Sequence, residues 1–226
     1  MNKKNSLLLP PQFFETNTDE KLDYILELSF DVLYLFDHFK NPTDSSKPTY
    51  KFTDEIFSLY KKVKNEIEVG VCVLNINARD LNLLFKDIID PLLELKNLNL
   101  GLGTGDNKYE KHDQIFNNDI EEIINYVLEN NNFISNNSTL FIGGNSQSKL
   151  DLLKKYDLGI NQWMGSDSDF VEKQNIYKNL INPIGRLSRC VTNKKTYEFD
   201  YEKIFVVKDS NLKIFQETMD NIFKND

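Results

Sequence analysis

The sequence predicts an α/β fold, an abridged (β/α)8 barrel of the TIM type, and three observations carry that expectation. Short apolar runs alternate with amphipathic stretches of helical period from one end of the chain almost to the other, the rhythm of a parallel sheet with crossover helices. The runs number about seven or eight, which suits a closed barrel better than an open sheet. Five of the nine glycines, Gly101, Gly103, Gly105, Gly143 and Gly144, cluster at the ends of two of these runs, where barrels of this kind bind ligands. With 226 residues and 40% hydrophobic content, the chain is expected to form a single domain over 1–226.

The elements follow in order. Leu7-Leu8-Leu9 opens as the first strand. The next helix starts at Asn17, with Glu20 completing a capping box, and places Leu22, Ile25, Leu26 and Leu28 on one face. Residues 32–36 read as a strand buried on both sides. A loop rich in Pro, Ser and Thr leads to a helix carrying Phe52, Ile56, Leu59 and Val63. The third strand is 69–74, and Leu81, Leu84, Phe85, Ile88, Leu92 and Leu95 recur behind it at helical spacing. The fourth, 98–102, runs into a glycine-rich turn; Ile120, Ile123, Ile124 and Val127 mark a helix. A short strand, 140–142, ends at Gly143-Gly144, before a helix with Leu150, Leu153 and Tyr156. Residues 158–163 form the sixth strand and 170–180 its helix. The tail offers strands at 187–192 and 204–207 and a helix with Leu212, Phe215, Met219 and Phe223.

Composition narrows the function classes. Lys and Arg total 27 against 35 Asp and Glu, and a formal net charge of -8 argues against nucleic acid as a partner. The basic start and its three leucines are cut by Pro10 and Pro11, too soon for a signal peptide. No apolar stretch approaches the roughly 20 residues of a membrane span. A cytoplasmic, soluble protein acting on a small molecule, with no membrane partner, is therefore expected; the oligomeric state stays open, a homodimer included. Cys72 and Cys190 make neither a disulfide framework nor a metal cluster and read as small buried hydrophobes. No metal site is expected.

Chemistry belongs at the strand ends. The second strand ends in Asp37-His38, the third in Leu74-Asn75, the fourth in Gly101-Leu-Gly-Thr-Gly-Asp106, the fifth in Gly143-Gly-Asn-Ser146. The fourth is not the dinucleotide fingerprint, since Asp106 stands where the third glycine belongs; a tight turn without a ligand is the plain alternative. Gly143 to Ser146 opens a helix whose free N–H groups and Ser hydroxyl suit a phosphate, an ordinary cap by Asn145 or Ser146 being the competing reading. His38, beside a carboxylate, is a candidate acid or base, or else a hydrogen-bonded structural histidine. His112, among Lys108, Glu110, Lys111 and Asp113, reads as a solvated loop residue. There is no G-x-S-x-G elbow for hydrolysis.

Taken together, these segments resemble the bacterial luciferase-like monooxygenase superfamily, above all its F420-dependent, glucose-6-phosphate dehydrogenase-like branch. Asp37-His38-Phe39 with Pro42 matches that branch's D-H-F motif and its following proline. Gly70-Val-Cys-Val-Leu74 with Arg79 is similar to its third strand, G-x-S-V-L and an arginine, and Gly101-Leu-Gly-Thr-Gly-Asp106 to its G-V-G-T-G-E. Gly143-Gly-Asn-Ser146, Leu158-Gly159 and residues 164–170 follow its later segments, so that the likeness runs from Leu7 to Leu180. The chain departs from the branch in lacking the tryptophan after D-H-F, in Cys72 for a small hydroxyl residue, in Asp106 for Glu, and in a shortened segment before the fifth strand. After Pro183 the likeness lapses, and the last strand is expected to be incomplete.

The resemblance implies a luciferase-like barrel holding coenzyme F420, with FMN as the alternative. It implies Asp37 and His38 near the deazaflavin ring, Cys72 and Val73 in a peptide bulge against its back, and Gly103, Thr104, Gly105, Gly143, Gly144 and Ser146 around its phosphate arm. The leading expectation is an F420-dependent oxidoreductase exchanging a hydride with a small organic substrate, His38 acting as base and Asp106 as acid. The alternatives are a reduced-FMN monooxygenase, a non-catalytic flavin-binding protein on the same fold, and a phosphate-ligand barrel that never sees a flavin.

Overall fold

The computed structural model describes residues 4–42, 44–63, 66–105, 108–110, 116–163, 165–192, 201–208 and 211–223. Eight strands, β1 (Asn5–Leu8), β2 (Val32–Leu35), β3 (Glu68–Asn75), β4 (Asn99–Gly103), β5 (Thr139–Gly143), β6 (Gly159–Trp163), β7 (Leu187–Val191) and β8 (Glu202–Val206), close into a parallel barrel in sequence order. The helices between them are α1 (Thr18–Glu27), α2 (Phe52–Val63), α3 (Leu81–Leu84), α4 (Asp90–Leu93), α5 (Ile120–Glu129), α6 (Asn131–Ser135), α7 (Gln147–Tyr156) and α8 (Asp167–Tyr177), and α9 (Leu212–Phe223) follows β8. A single π turn, Phe85–Ile89, joins α3 to α4.

The strands read as unbroken apolar runs because both faces are buried. Leu7, Leu33, Val71, Leu100 and Ile142 pack in the large core shared with Leu22, Ile56, Leu84, Ile123 and Leu153 of the helices. The alternate residues Leu8, Tyr34, Phe36, Cys72, Phe141, Cys190 and Ile204 form a second, smaller core inside the barrel. Two expectations are corrected. The last strand is complete, pairing with β1 from Asn5↔Lys203 to Leu8↔Val206. It was obscured because the barrel interior accepts a buried glutamate, Glu202, at its first position. Asn17 does not close a capping box: it sits at φ 52 with no side-chain cap bond, and its amide instead donates to Glu20 Oε1 at 3.3 Å.

The barrel is filled from below. Tyr34 and Phe141 meet edge to face at 6.0 Å across its interior. Each lies beside a glycine of the neighbouring strand, Gly70 and Gly101, where any Cβ would overlap the ring. Beneath them, at the N-terminal strand ends, Glu202 accepts bonds from Ser6 Oγ at 2.6 Å and Tyr34 OH at 3.1 Å and faces Arg186 at 3.8 Å. Arg186 also donates to Glu68 at 2.7 Å, and Asn99 Nδ2 donates to the same carboxylate at 2.9 Å. Burial pushes the Glu202 carboxyl up from its ordinary value, with Arg186 working the other way. Among the described residues no helix is long and apolar enough to cross a membrane.

Candidate functional site

Above the aromatic layer, at the C-terminal strand ends, lies a cavity of about 200 Å³. Of the residues singled out from the sequence, His38, Cys72, Val73, Gly103, Thr104, Gly105, Gly143 and Gly144 line it. Asp37 and Ser146 do not, and Asp106, like His112, lies outside the described residues.

One wall is the end of β3. Its pairing with β4 jumps from Val71↔Leu100 to Leu74↔Leu102, a bulge at Cys72 and Val73 whose joining peptide is cis. The bulge explains two of the glycines: a Cβ on Gly103 would overlap Val73 Cγ2, and one on Gly143 would come within 3.0 Å of Val73 Cγ1. Those glycines thus make room for Val73, and both also line the cavity. Below the bulge the chain's two cysteines meet, Cys72 Sγ 3.9 Å from Cys190 Sγ. This contact and burial push the Cys72 thiol well above its usual range.

The second wall carries the titratable pair. His38 Nδ1 lies 2.6 Å from Glu110 Oε1. The Glu110 side chain is 4% exposed, and its Oε2 is buried with no hydrogen-bond partner among the described residues. The His38 ring is flanked by Phe36 and Tyr109, centroids 5.5 Å away in each case. Lys40 N–H donates to the Tyr109 carbonyl at 3.0 Å, joining the loops after β2 and β4. Asp37 turns elsewhere: its carboxylate takes a bidentate pair of bonds from Arg79, at 2.7 and 2.8 Å, and the Asn75 N–H at 3.1 Å. It clamps the end of β2 to that of β3.

The third wall is a cationic corner. Gly144 has φ 119, a conformation that favours glycine, and turns the chain toward α7. Ser146 occupies the N-cap position without making a side-chain cap bond; its hydroxyl pairs with Ser148 Oγ at 3.0 Å and is exposed. Lys149, in the first turn of α7, reaches over Gly144 and lies 3.4 Å from Thr104 Oγ1. Burial lowers its ammonium pKa, and among the described residues it makes no ion pair. Behind the corner, the buried Lys173 donates to Asn145 Oδ1 at 2.6 Å and Gln162 Oε1 at 2.7 Å, pinning the turn to β6.

Sequence reasoning missed Glu110, Tyr109, Lys149 and Trp163, all at this site. Lys149 did leave a signal: a cation in the first turn of a helix opposes the helix dipole, an unfavourable placement unless an anion binds there. Glu110 left none, since a glutamate amid Lys108 and Lys111 reads as solvated loop.

Fold and site together define a (β/α)8 barrel with its ligand cavity at the C-terminal face, the usual place for such barrels. No model of a known protein family matches the chain, nor does any curated protein. Solved structures do. A structural-study protein from Aquifex aeolicus VF5 aligns with TM-score 0.62 and 12% identity over 98% of this chain and 92% of that one. The coenzyme F420-dependent tetrahydromethanopterin reductase of Methanopyrus kandleri aligns with TM-score 0.59 and 12% identity over 86% of this chain and 68% of the reductase. At that identity the likeness speaks for the fold.

Proposed function

We propose that this chain is an oxidoreductase of the luciferase-like type that binds coenzyme F420 and exchanges a hydride with a small organic substrate. The observation that carries the reading is one cavity with a His38–Glu110 pair on one wall and, on another, a partly buried Lys149 beside the start of a helix that no side chain caps. The fold shared with an F420-dependent reductase and the ordered motifs of the sequence support the choice of cofactor.

The residues fit such a group. A desolvated ammonium without a carboxylate partner among the described residues, next to free helix N–H groups, calls for an anion, and the phosphate of F420 or FMN is one. When bound, the deazaflavin or flavin ring supplies the two-electron chemistry. Cys72 and Val73 offer a largely apolar wall. His38 moves the proton: with Nδ1–H donated to Glu110, Nε2 is the nitrogen left for the substrate. In the oxidising direction it takes a proton from the substrate, and in the reducing direction it returns one, a role that contributes roughly 10²–10⁴-fold in rate. Asp106, the acid expected from sequence, stays a proposal of the same kind.

The test is equilibrium dialysis of the full chain against F420 and FMN, followed by turnover with the retained cofactor. Saturable one-to-one retention of F420 with hydride exchange supports the reading. FMN retention with oxygen consumption replaces it by the monooxygenase, retention without turnover by the binding protein, and retention of neither removes it.

A further inference from the structure

The walls around His38 bear on the class of molecule that exchanges the hydride. Phe36 and Tyr109 flank the imidazole, and Pro42 lines the same side. Trp163, the chain's only tryptophan and 48% exposed, stands on the rim at the end of β6, four strands round the eight-stranded barrel from His38. Among the described residues lining the cavity there is no carboxylate and one lysine or arginine, Lys149, which sits with Thr104 at the glycine corner. Of the remaining polar side chains, Asn161 already donates to Ser188 Oγ at 3.0 Å.

A sugar phosphate would need a second cation and a partner for each hydroxyl, since a polar group buried without one weighs heavily against binding. Among the described residues the aromatic wall offers as polar groups only the His38 imidazole and the Tyr109 hydroxyl, too few for a sugar's hydroxyls and its phosphate together. It provides flat apolar faces, which favour a planar, uncharged molecule.

We infer that the hydride partner is an uncharged, planar α,β-unsaturated carbonyl compound, received against Phe36 and Tyr109 with Trp163 closing the opposite rim. The inference rests on the cofactor reading above. A C–H bond forms at the β-carbon with the hydride that the reduced cofactor supplies, and the C=C pair moves onto the α-carbon. His38, protonated on both nitrogens with Nδ1–H held by Glu110, delivers its Nε2 proton to the α-carbon and is reprotonated from water. The carbonyl compound is reduced by two electrons and the cofactor is oxidised by two.

The experiment uses the full chain loaded with reduced F420, with cinnamaldehyde and glucose 6-phosphate as probes and Tyr109→Ser, Tyr109→Phe and Trp163→Leu as variants. The expected result is turnover of cinnamaldehyde, none of glucose 6-phosphate, and a kcat/KM lowered by about tenfold or more in Tyr109→Ser and Trp163→Leu and restored in Tyr109→Phe, the scale of a lost pocket contact. F420 affinity should stay within about twofold in all three, since its anion is held by Lys149. Preference for the sugar phosphate overturns the inference, as does an unchanged kcat/KM in both Tyr109→Ser and Trp163→Leu, or a loss confined to F420 affinity. If the parent retains no F420, the cofactor reading has failed by itself; Trp163 fluorescence of the cofactor-free chain then decides the ligand class. Saturable quenching by cinnamaldehyde and none by glucose 6-phosphate upholds it, and any other pattern overturns it.

Discussion

At the N-terminal end of the barrel Glu202, Arg186, Glu68, Asn99, Tyr34 and Ser6 are bound to one another under a layer of two aromatic rings. At the C-terminal end Lys149 has no ion pair and Glu110 Oε2 no hydrogen bond among the described residues. Both sets of groups are largely withdrawn from water, and each leaves a buried polar atom without a hydrogen bond among the described residues, Arg186 Nη1 below and Glu110 Oε2 above; what separates them is that Arg186 is paired with Glu68 and Glu202, whereas Lys149 has no ion pair among the described residues. On the proposed reading the lower network serves the fold, and Lys149 is left for an anion that binds at the upper end. The difference teaches where to look in such a barrel: a buried cation without an ion partner is a better candidate for function than a buried charge as such.

Substitutions at the two ends should therefore part company. Arg186→Met strands Glu202 and Glu68 without their shared counter-ion, and should lower the unfolding free energy in urea by about 3 kcal/mol while F420 affinity stays put; the reverse outcome would dissolve the division of labour. His38→Asn should act chiefly on catalysis, keeping an amide to donate to Glu110, leaving cofactor affinity nearly unchanged and lowering turnover by roughly 10²-fold. Equal turnover would make His38 structural.

Lys149→Met sharpens the comparison further, with a loss of F420 affinity of roughly tenfold, the scale of one charge-assisted hydrogen bond. Burial pushes the Lys149 ammonium down, so its charge disappears as pH rises at a lower pH than for an ordinary lysine. Parent affinity should decline across that alkaline range, and Lys149→Met should show no such decline. The smallest effect belongs to Glu202. Burial raises its carboxyl above the ordinary 4.5, so the folded state holds that proton more tightly than the unfolded chain. Its stabilising contribution is present below the ordinary value and is lost as pH rises through the raised one. The stability of the parent relative to Glu202→Gln should drift downward across that window, and a drift of opposite sign would show that Arg186 outweighs burial.

The sequence made the fold legible because parallel strands buried on both faces leave runs that need no partner to be recognised. The tail was harder: Glu202 and Lys203 break the run of β8, and only the closed barrel shows that Glu202 has Ser6 and Tyr34 to meet. Strand ends were legible too, which brought His38, Gly103, Thr104 and Gly144 to one cavity. Which way a strand-end side chain turns was not. Asp37 looked like the partner of His38, yet Arg79, 42 positions away, holds it, and Glu110, 72 positions from His38, takes its place. Such choices depend on loops meeting in space, and periodicity carries no trace of them.

The central claim, that the C-terminal cavity takes a phosphate-bearing ring cofactor, is tested most directly by titrating Trp163 fluorescence with F420 and with FMN in the parent and in Gly144→Val. A valine at φ 119 is strained and meets the Lys149 side chain, so it damages the anion corner and leaves the rim tryptophan in place. The account predicts saturable one-to-one quenching in the parent and an affinity lower by about tenfold or more in Gly144→Val. Quenching by neither cofactor in the parent, or equal affinity in the two proteins, would contradict it.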